Sequence, residues 1–477
     1  IVNSNVNDII GASSAALRAR IRQLIRDFPY LARAANVIVD YSIGQGIMFQ
    51  SKAQYPTQAG RGRRKQPDED ESRKPDRKLI GQIEDALSWW MDEADASGKL
   101  HFNELMRLTK RQDLEAGEFI SVRTYPKTSN RYLPFALQLY EADWLTGAHD
   151  NYGTGALGMG AKTGEKEIRQ GIEYEKATGR VTGYWFQDPY GGGQDVYVSA
   201  GEVNHGFETL RPQQLRGVSP FVPGVLIAND LNDYIGAEID GAKMASKYLG
   251  FVYSENPALR QGVVVENETN DDGTSTKIEE MQNAIIEYLR PNEKIELAKS
   301  DRPGATFQPF VRLILTMLSI TTGAPYELIS GDYQGLNFST ARIVRNDFAQ
   351  QLRPISTRHI LQFCQPIFRA VIDMAVLTGR LTLPGYWQNP WPYLKCEWQP
   401  PGMDAVDPLR EAKSQVEAIS ALLKSPQEVC RERGRNYEDV LDEIKEAKTL
   451  AADRGLEFSA AKTPEKNNPA AIMKEEE

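Results

Sequence analysis

The chain has 477 residues, 41% hydrophobic and 25% charged, with 65 Asp and Glu against 56 Lys and Arg and a net charge of −9. That length gives roughly two to four domains with cores of their own, so stability needs neither disulfides nor a structural metal. The acidic balance excludes a protein that grips nucleic acid by broad phosphate neutralisation; any contact with DNA should be local or weak. Cys364, Cys396 and Cys430 are an odd, widely spaced set that makes neither a disulfide framework nor a Cys-x-x-Cys zinc site. His101, His149, His205 and His359 stand at no metal-ligand spacing from one another, so no metal or other cofactor is expected. No continuous apolar run reaches the roughly 18 residues of a membrane span and no signal peptide is visible, which predicts no membrane partner and synthesis in a reducing cytoplasm.

In chain order, residues 13–39 read as a helix interrupted at Phe28-Pro29-Tyr30, and Ile43-Gly44-Gln45-Gly46-Ile47 turns the chain into an extended segment. Residues 61–78 carry eight basic residues, five acidic ones and two prolines; with the stretch 56–60 they predict an exposed charged loop. Leu79, Ile83, Leu87 and Trp90 repeat at helical spacing, and a further helix is predicted from Phe102 to Glu115. From Glu118 the pattern becomes strand-like: 119–123, 135–139, 168–174, 181–187 and 195–198, with turns at 178–180 and 190–193. The first half is thus read as helices against a mostly antiparallel, meandering sheet.

Ser219-Pro220 is read as opening a long helix to Leu249. Residues 250–304 form a small mixed insert with a turn at Asp271-Asp272-Gly273 and a helix at 278–289, and a second helix covers 306–322. After 331–337 comes a long helical stretch, 339–378, expected to break at Pro354 and Pro366. A Trp- and Pro-rich segment occupies 386–400, and the remainder is helical to Arg454 before a polar, disordered tail.

Few motifs carry chemistry. Gly153-Thr154-Gly155-Ala156-Leu157-Gly158 fits G-x-G-x-x-G literally, but the strand-like residues after it deny a phosphate the helix N-terminus it needs. Ala161 separates Gly160 from Lys162, which spoils the nearby P-loop likeness; a surface loop is the better reading of both. No G-x-S-x-G or H-E-x-x-H occurs, His205 reads as a buried structural histidine, and nothing marks the thiols as reactive, so no catalytic residue is expected. More informative is the helix 219–249. Ile227, Leu231, Ile235 and Ile239 give it an apolar face, while Asp233, Asp240 and Lys247, seven apart, fall on a wet one. Residues 310–320 are apolar on nearly every side and too short to span a membrane, so protein must cover them. Phe310, Ile314, Leu315 and Leu318 are therefore expected at a contact between subunits. In 330–338 the glycines at 331 and 335 allow motion, Asn337 or Ser339 can cap the next helix, and Arg342, Arg345 and Arg353 fall near one face of it.

Motifs in a fixed order then resemble the portal proteins of tailed bacteriophages, specifically the lambda-like portal family. They are Asn36 to Tyr41 with Gly44-Gln45-Gly46-Ile47, Gly117-Glu118-Phe119, Gly171-Ile172-Glu173 with Gly179-Arg180, and Gln214-Leu215-Arg216-Gly217-Val218-Ser219-Pro220. The most diagnostic are Gly323-Ala324-Pro325-Tyr326-Glu327-Leu328, Gly331-Asp332-Tyr333 and Asn337-Phe338-Ser339-Thr340-Ala341-Arg342. With the N-terminal Arg-rich helix that leads into Asn36, the resemblance covers about residues 15–400.

The resemblance implies an α+β portal fold that is not an enzyme, with a wing over 1–218, stem helices over 219–249 and 305–329, and a small α/β clip over 250–304. It further implies a tunnel loop over 330–338, a long kinked helix and wing return over 339–402, and a helical crown and disordered tail over 403–477. From residue 404 that last region holds 17 acidic and 12 basic residues. Subunits would form a dodecameric ring at one capsid vertex of the virion, the head–tail connector through which double-stranded DNA is packaged and ejected. Partners would be the terminase large subunit, a head-completion adaptor, and the major capsid and scaffold proteins. The expected channel residues are Asp332, Tyr333, Gln334, Asn337, Arg342 and Arg345 at the loop and Asp233, Asp240 and Lys247 on the stem. Two alternatives stay open: a nucleotide-dependent packaging enzyme, which needs the phosphate cradle found wanting above, and another structural capsid or scaffold protein.

Overall fold

A computed structural model describes residues 5–55, 76–127, 130–152, 164–247, 250–254, 267–269, 275–277, 293–297, 304–403, 407–435 and 437–456. The charged loop 56–75, the G-x-G-x-x-G stretch, the turn at 271–273, the helix expected at 278–289 and the tail beyond 456 lie outside the described residues. Two compact units are present: residues 1–225 with 318–477, and the inserted residues 226–317.

In the first unit, α1 (Val6–Asp27) stops where Pro29 starts α2 (Pro29–Ser42), with Phe28 extended between them. Pro at a helix start costs little because the missing N–H would have no partner there. α3 (Arg77–Met91) begins under Asp76, which accepts from the Lys78 and Leu79 amides, and buries Leu79, Ile83, Leu87 and Trp90 as their spacing predicts. α4 (Phe102–Ala116) opens on a capping box between His101 and Glu104 and closes on Gly117 at φ 86°. A Cβ on Gly117 would collide with the Val218 and Ser219 backbone, so only glycine fits this crossing.

Two antiparallel sheets follow. β2 (Glu118–Thr124) lies between β3 (Ala136–Tyr140) and β8 (Val203–Phe207), with Ile120 opposite both Tyr140 and His205. β4 (Lys166–Arg169), β5 (Ile172–Glu175), β6 (Val181–Phe186) and β7 (Val196–Ser199) form a four-stranded meander. The single strand expected at 168–174 is thus two: Gln170 (φ 52°) and Gly171 (φ 76°) make a two-residue hairpin turn. β1 (Met48–Ser51) pairs with the far-off β13 (Cys396–Gln399), a partnership with no local signal.

From Phe338 to Leu377 the chain is helical throughout. It runs as α8 (Phe338–His359), a π-helical turn at Ile360–Cys364, and α9 (Gln365–Leu377). The expected breaks at the prolines do not occur. Pro354 sits in α8 on its exposed side, where the Gln350 carbonyl can turn to water. Pro366 follows the π turn, whose wider ring makes room for an imino acid. By length and composition this run could cross a membrane, which a search for continuous apolar stretches missed. Instead Ile367, Phe368, Val371, Ile372 and Ala375 are buried with Trp90, Phe102, Phe119 and Phe363 in the main core. A second core gathers Ile120, Ile172, Tyr174, Tyr184 and Phe186 between the sheets. α10 (Pro408–Ser420), α11 (Pro426–Glu432) and α12 (Tyr437–Asp453) complete this unit.

Among its described residues the inserted unit shows two helices and two small antiparallel pairs. α5 (Val225–Lys247) starts six residues later than expected. Ser219 Oγ donates to Leu114 O and accepts from the Phe221 amide, fixing a turn, and Val222–Gly224 forms one 3₁₀ turn before the helix begins. β9 (Gly250–Ser254) pairs with β12 (Glu293–Leu297), and β10 (Asn267–Thr269) with β11 (Ser275–Lys277). α6 (Phe307–Thr322) meets α5 through Tyr234, whose ring lies 5.8 Å from Phe307 and 5.0 Å from Phe310. α6 ends at Gly323 (φ 75°), matching the helix expected over 306–322, and a short α7 (Tyr326–Ser330) follows.

Candidate functional site

The loop between α7 and α8 is built by its own polar groups. Asp332 accepts from the Tyr326 hydroxyl at 3.1 Å and from the Gln334 amide at 3.0 Å, while its own amide donates to Ser330 Oγ. Asn337 accepts from the Thr340 amide at 2.8 Å and its hydroxyl at 2.9 Å, which makes it the N-cap of α8. Two of the expected DNA-contacting side chains are therefore committed to folding the loop. Tyr333 and Gln334 are exposed at its tip, and so is Arg342 on α8. Arg345 is not. It donates to Met403 O at 3.0 Å and pairs with Glu411 of α10 at 3.6 Å, so as a free phosphate-binding group it is corrected.

Loop, α2, α7, α8 and residues 401–403 enclose a cavity of about 600 Å³, lined by Arg33, Tyr41, Leu328, Tyr333, Leu336 and Phe348 among others. Its α8 wall is Ala341, Val344, Arg345 and Phe348.

On α5, Asp233 and Asp240 are exposed; Asn229 donates to Asp233 at 3.1 Å and Lys243 pairs with Asp240 at 3.0 Å. The Lys247 side chain lies outside the described residues. Of the supposed apolar face, Leu231 is buried and Ile227 and Ile235 are half-buried, but Ile239 is exposed.

On α6 the residues expected at a subunit contact divide between interior and surface. Leu315 and Leu318 are 3% and 0% exposed within a single chain, so they already belong to the subunit interior, and Ile314 is half-buried. The side chains left to water are Phe310, Leu313 (54%), Met317 and Ile320 (77%). They are spaced three, four and three apart and share one face. A run apolar on all sides gives no sequence signal for which side faces out, so Leu313, Met317 and Ile320 were missed.

Beneath the sheets lies an ion cluster that sequence patterns did not expose. Glu118, at the start of β2, accepts from Arg216 Nε at 2.8 Å and Nη2 at 2.5 Å, from the Gly217 amide at 2.9 Å, and lies 3.0 Å from His205 Nε2. Burial pushes its carboxyl up, but the Arg216 guanidinium, followed by His205, outweighs burial and holds it well below the usual carboxylate range. His205 is thus a buried structural residue, tying β8 to β2. Nearby, Arg18 and Arg22 of α1 grip Asp143 at 2.8 and 2.5 Å. His359, packed at a tilt against Phe119 and Phe363, is pushed down to about 3 by burial and by Lys110. The Cys364 thiol is pushed up by burial, which leaves it inert. Among the described residues no three His, Cys, Asp or Glu side chains are grouped to hold a metal ion.

The described residues form an α+β body with antiparallel sheets and an inserted unit of helices and short strand pairs. The sequence matches the family model described as phage portal protein, lambda family, over residues 1–355, and the chain belongs to that family. It is a virion structural protein and not an enzyme. It is 25% identical over 378 residues to the probable portal protein of Halomonas phage phiHAP-1, covering 76% of this chain and 69% of that one. To portal protein B of Escherichia phage lambda it is 24% identical over 166 residues, 33% of this chain and 30% of the relative. Among solved structures, one titled as the neck of an empty GTA particle computed with C6 symmetry aligns at TM-score 0.49 and 14% identity. That alignment covers 89% of this chain and 93% of the other.

Proposed function

We propose that this chain assembles head to tail into a ring, of twelve copies by the family's habit, that forms the DNA channel at one capsid vertex. The observation that carries this reading is the family match over residues 1–355. The apolar face of α6 supports it, because Phe310, Leu313, Met317 and Ile320 are too many contiguous apolar side chains to leave to water on a finished surface. In this reading residues 1–218 are the wing, α5 and α6 the stem, 250–304 the clip and residues from 403 the crown. The clip receives the terminase large subunit during packaging and a head-completion adaptor afterwards, while the wing meets the major capsid and scaffold proteins. Double-stranded DNA passes Asp233, Asp240 and Lys247 on α5 and the loop tip at Tyr333 and Gln334, with Arg342 as the nearby cation. A net charge of −9 suits a bore through which DNA must slide, since a strongly basic lining would hold it. Negative-stain images of the purified chain should show rings with a central hole; closed shells, sheets or a lasting monomer at high concentration would overturn the proposal.

A further inference from the structure

α8 is a cationic helix in an acidic chain. Its 22 residues hold four arginines and one aspartate, whereas α12 carries six acidic residues against two lysines and the whole chain has a net charge of −9. Two of the arginines are used inside the subunit. Arg345 holds Met403 O and Glu411, and Arg358 pairs with Asp113 at 3.3 Å and Glu208 at 3.0 Å. The other two, Arg342 and Arg353, are exposed and have no ion pair or hydrogen bond among the described residues. Eleven residues separate them, about three turns, so they share one face and stand about 16 Å apart along the axis. Asn346 and Gln350 lie between them on that face and are exposed as well, while Phe348 and Leu352 are buried on the other side. Asp347, the one carboxylate of the helix, sits about 100° round from Asn346 at the edge of the face and accepts from Gln351 Nε2 at 2.9 Å.

Two guanidinium groups with two primary amides between them make a row of donors. A guanidinium meets phosphate oxygens with two parallel N–H groups, and amides donate to phosphate or sugar oxygens beside it. A compact anion cannot reach both arginines across 16 Å, but a duplex repeats its charge along its whole length. An ordinary solvated face in this chain mixes signs, as α10 does with Arg410, Glu411, Lys413 and Glu417. The loop tip brings no free charge of its own: Tyr333 and Gln334 are neutral, and Asp332 is held by Tyr326 and the Gln334 amide.

We infer that α8 carries a second phosphate contact, Arg353 with Asn346 and Gln350, three turns beyond Arg342. The salt-sensitive grip on double-stranded DNA then lies on this helix, and the loop tip guides the duplex without holding it by charge. This rests on the ring reading above and deepens it by naming the side chains that hold the polyanion.

Binding of a short linear duplex to purified rings tests it, with closed circular DNA in excess as a competitor that cannot thread the hole. Between about 50 and 200 mM salt, each phosphate contact accounts for roughly a three- to fourfold loss of affinity. Arg353→Gln should reduce that salt dependence as much as Arg342→Gln does, Arg353→Lys should keep most of it, and Gln334→Ala at the loop tip should leave it unchanged. The melting curve of Arg353→Gln should match the wild type, because the side chain is exposed and unpaired. A salt dependence lowered by Arg342→Gln but untouched by Arg353→Gln overturns the inference and leaves the ring reading standing; so does one lowered by Gln334→Ala. Failure of Arg353→Gln to form rings would make this face a contact between subunits and overturn the inference too. Wild-type rings that bind linear duplex no better than circles would sink the channel reading itself.

Discussion

α9 and α6 are of similar length and both strongly apolar, yet they end in different surroundings. α9 is wrapped by the chain itself: Ile367, Phe368, Val371 and Ile372 disappear among Trp90, Phe102 and Phe119. α6 buries Leu315 and Leu318 but leaves Phe310, Leu313, Met317 and Ile320 in water. Hydrophobic content is therefore no guide to whether a helix completes a subunit or waits for another one. What separates the two is cover: among the described residues α9 is packed around its apolar side, while Leu313, Met317 and Ile320 of α6 stay exposed.

The comparison predicts that damage to the self-sufficient body is felt by the monomer. Glu118→Gln should cost the most, about 3–5 kcal/mol in urea unfolding, because Arg216 would be left buried opposite a neutral amide. An unchanged unfolding midpoint would mean that the cluster is not a structural unit.

Acid should reveal the same body in two stages. The folded-state pKa of His359 is depressed, so the unfolded chain takes that proton first. Stability is full above about pH 6.5 and declines toward pH 3. Glu118 is likewise depressed, so its contribution is complete above about pH 4 and is lost only as pH falls further. His359→Phe should flatten the unfolding midpoint between pH 6.5 and 4; a wild-type curve already flat there would refute the assignment.

On α6 two leucines sharpen the contrast. Leu318→Asp buries an unpaired charge and should cost several kcal/mol in the monomer, on the order of 2–5. Leu313→Asp, five residues away on the exposed face, should change monomer stability by less than about 0.5 kcal/mol while removing rings from sedimentation profiles. Equal effects of the two on the monomer would mean that α6 has no separate inner and outer face.

The smallest effect belongs to the loop. Arg342→Glu should leave melting and rings intact and weaken DNA retention in filled heads modestly, more at low salt than at high. Retention unaffected at every salt concentration would remove Arg342 from the channel.

Much of the body was legible in sequence because its helices follow one periodicity: Leu79, Ile83, Leu87 and Trp90 are all buried as their spacing requires. β8 was not, since Val203-Asn204-His205-Gly206-Phe207 has no clean alternation; Asn204 and His205 are tolerated inside through distant partners, Arg123 at 3.4 Å and Glu118. The β1–β13 pairing escaped because strands so far apart in sequence leave no local mark. At the site, the loop's position was readable from its glycines and the Asn337 cap, but the assignment of side chains was not. Arg345 looks like Arg342 until Glu411 of α10 is placed beside it. Leu315 and Leu313 are chemically identical; only the packed helix tells which of them faces inward.

The chain leaves its main body at residue 225 and returns to it at 318. The strand β2 and helices α3 and α4 that line the main core emerge from the ribosome early, but Phe363, Phe368 and Val371 of α9, and Trp398 of β13, come much later. Until those arrive, the early half has half a core and no lid for it. A fragment ending at residue 355, where the family match stops, would expose that surface and should aggregate rather than fold. During synthesis, then, the apolar face of α6 is available before the body that carries it is finished. The order of translation therefore leaves α6 exposed before α9 can close over the waiting aromatic residues.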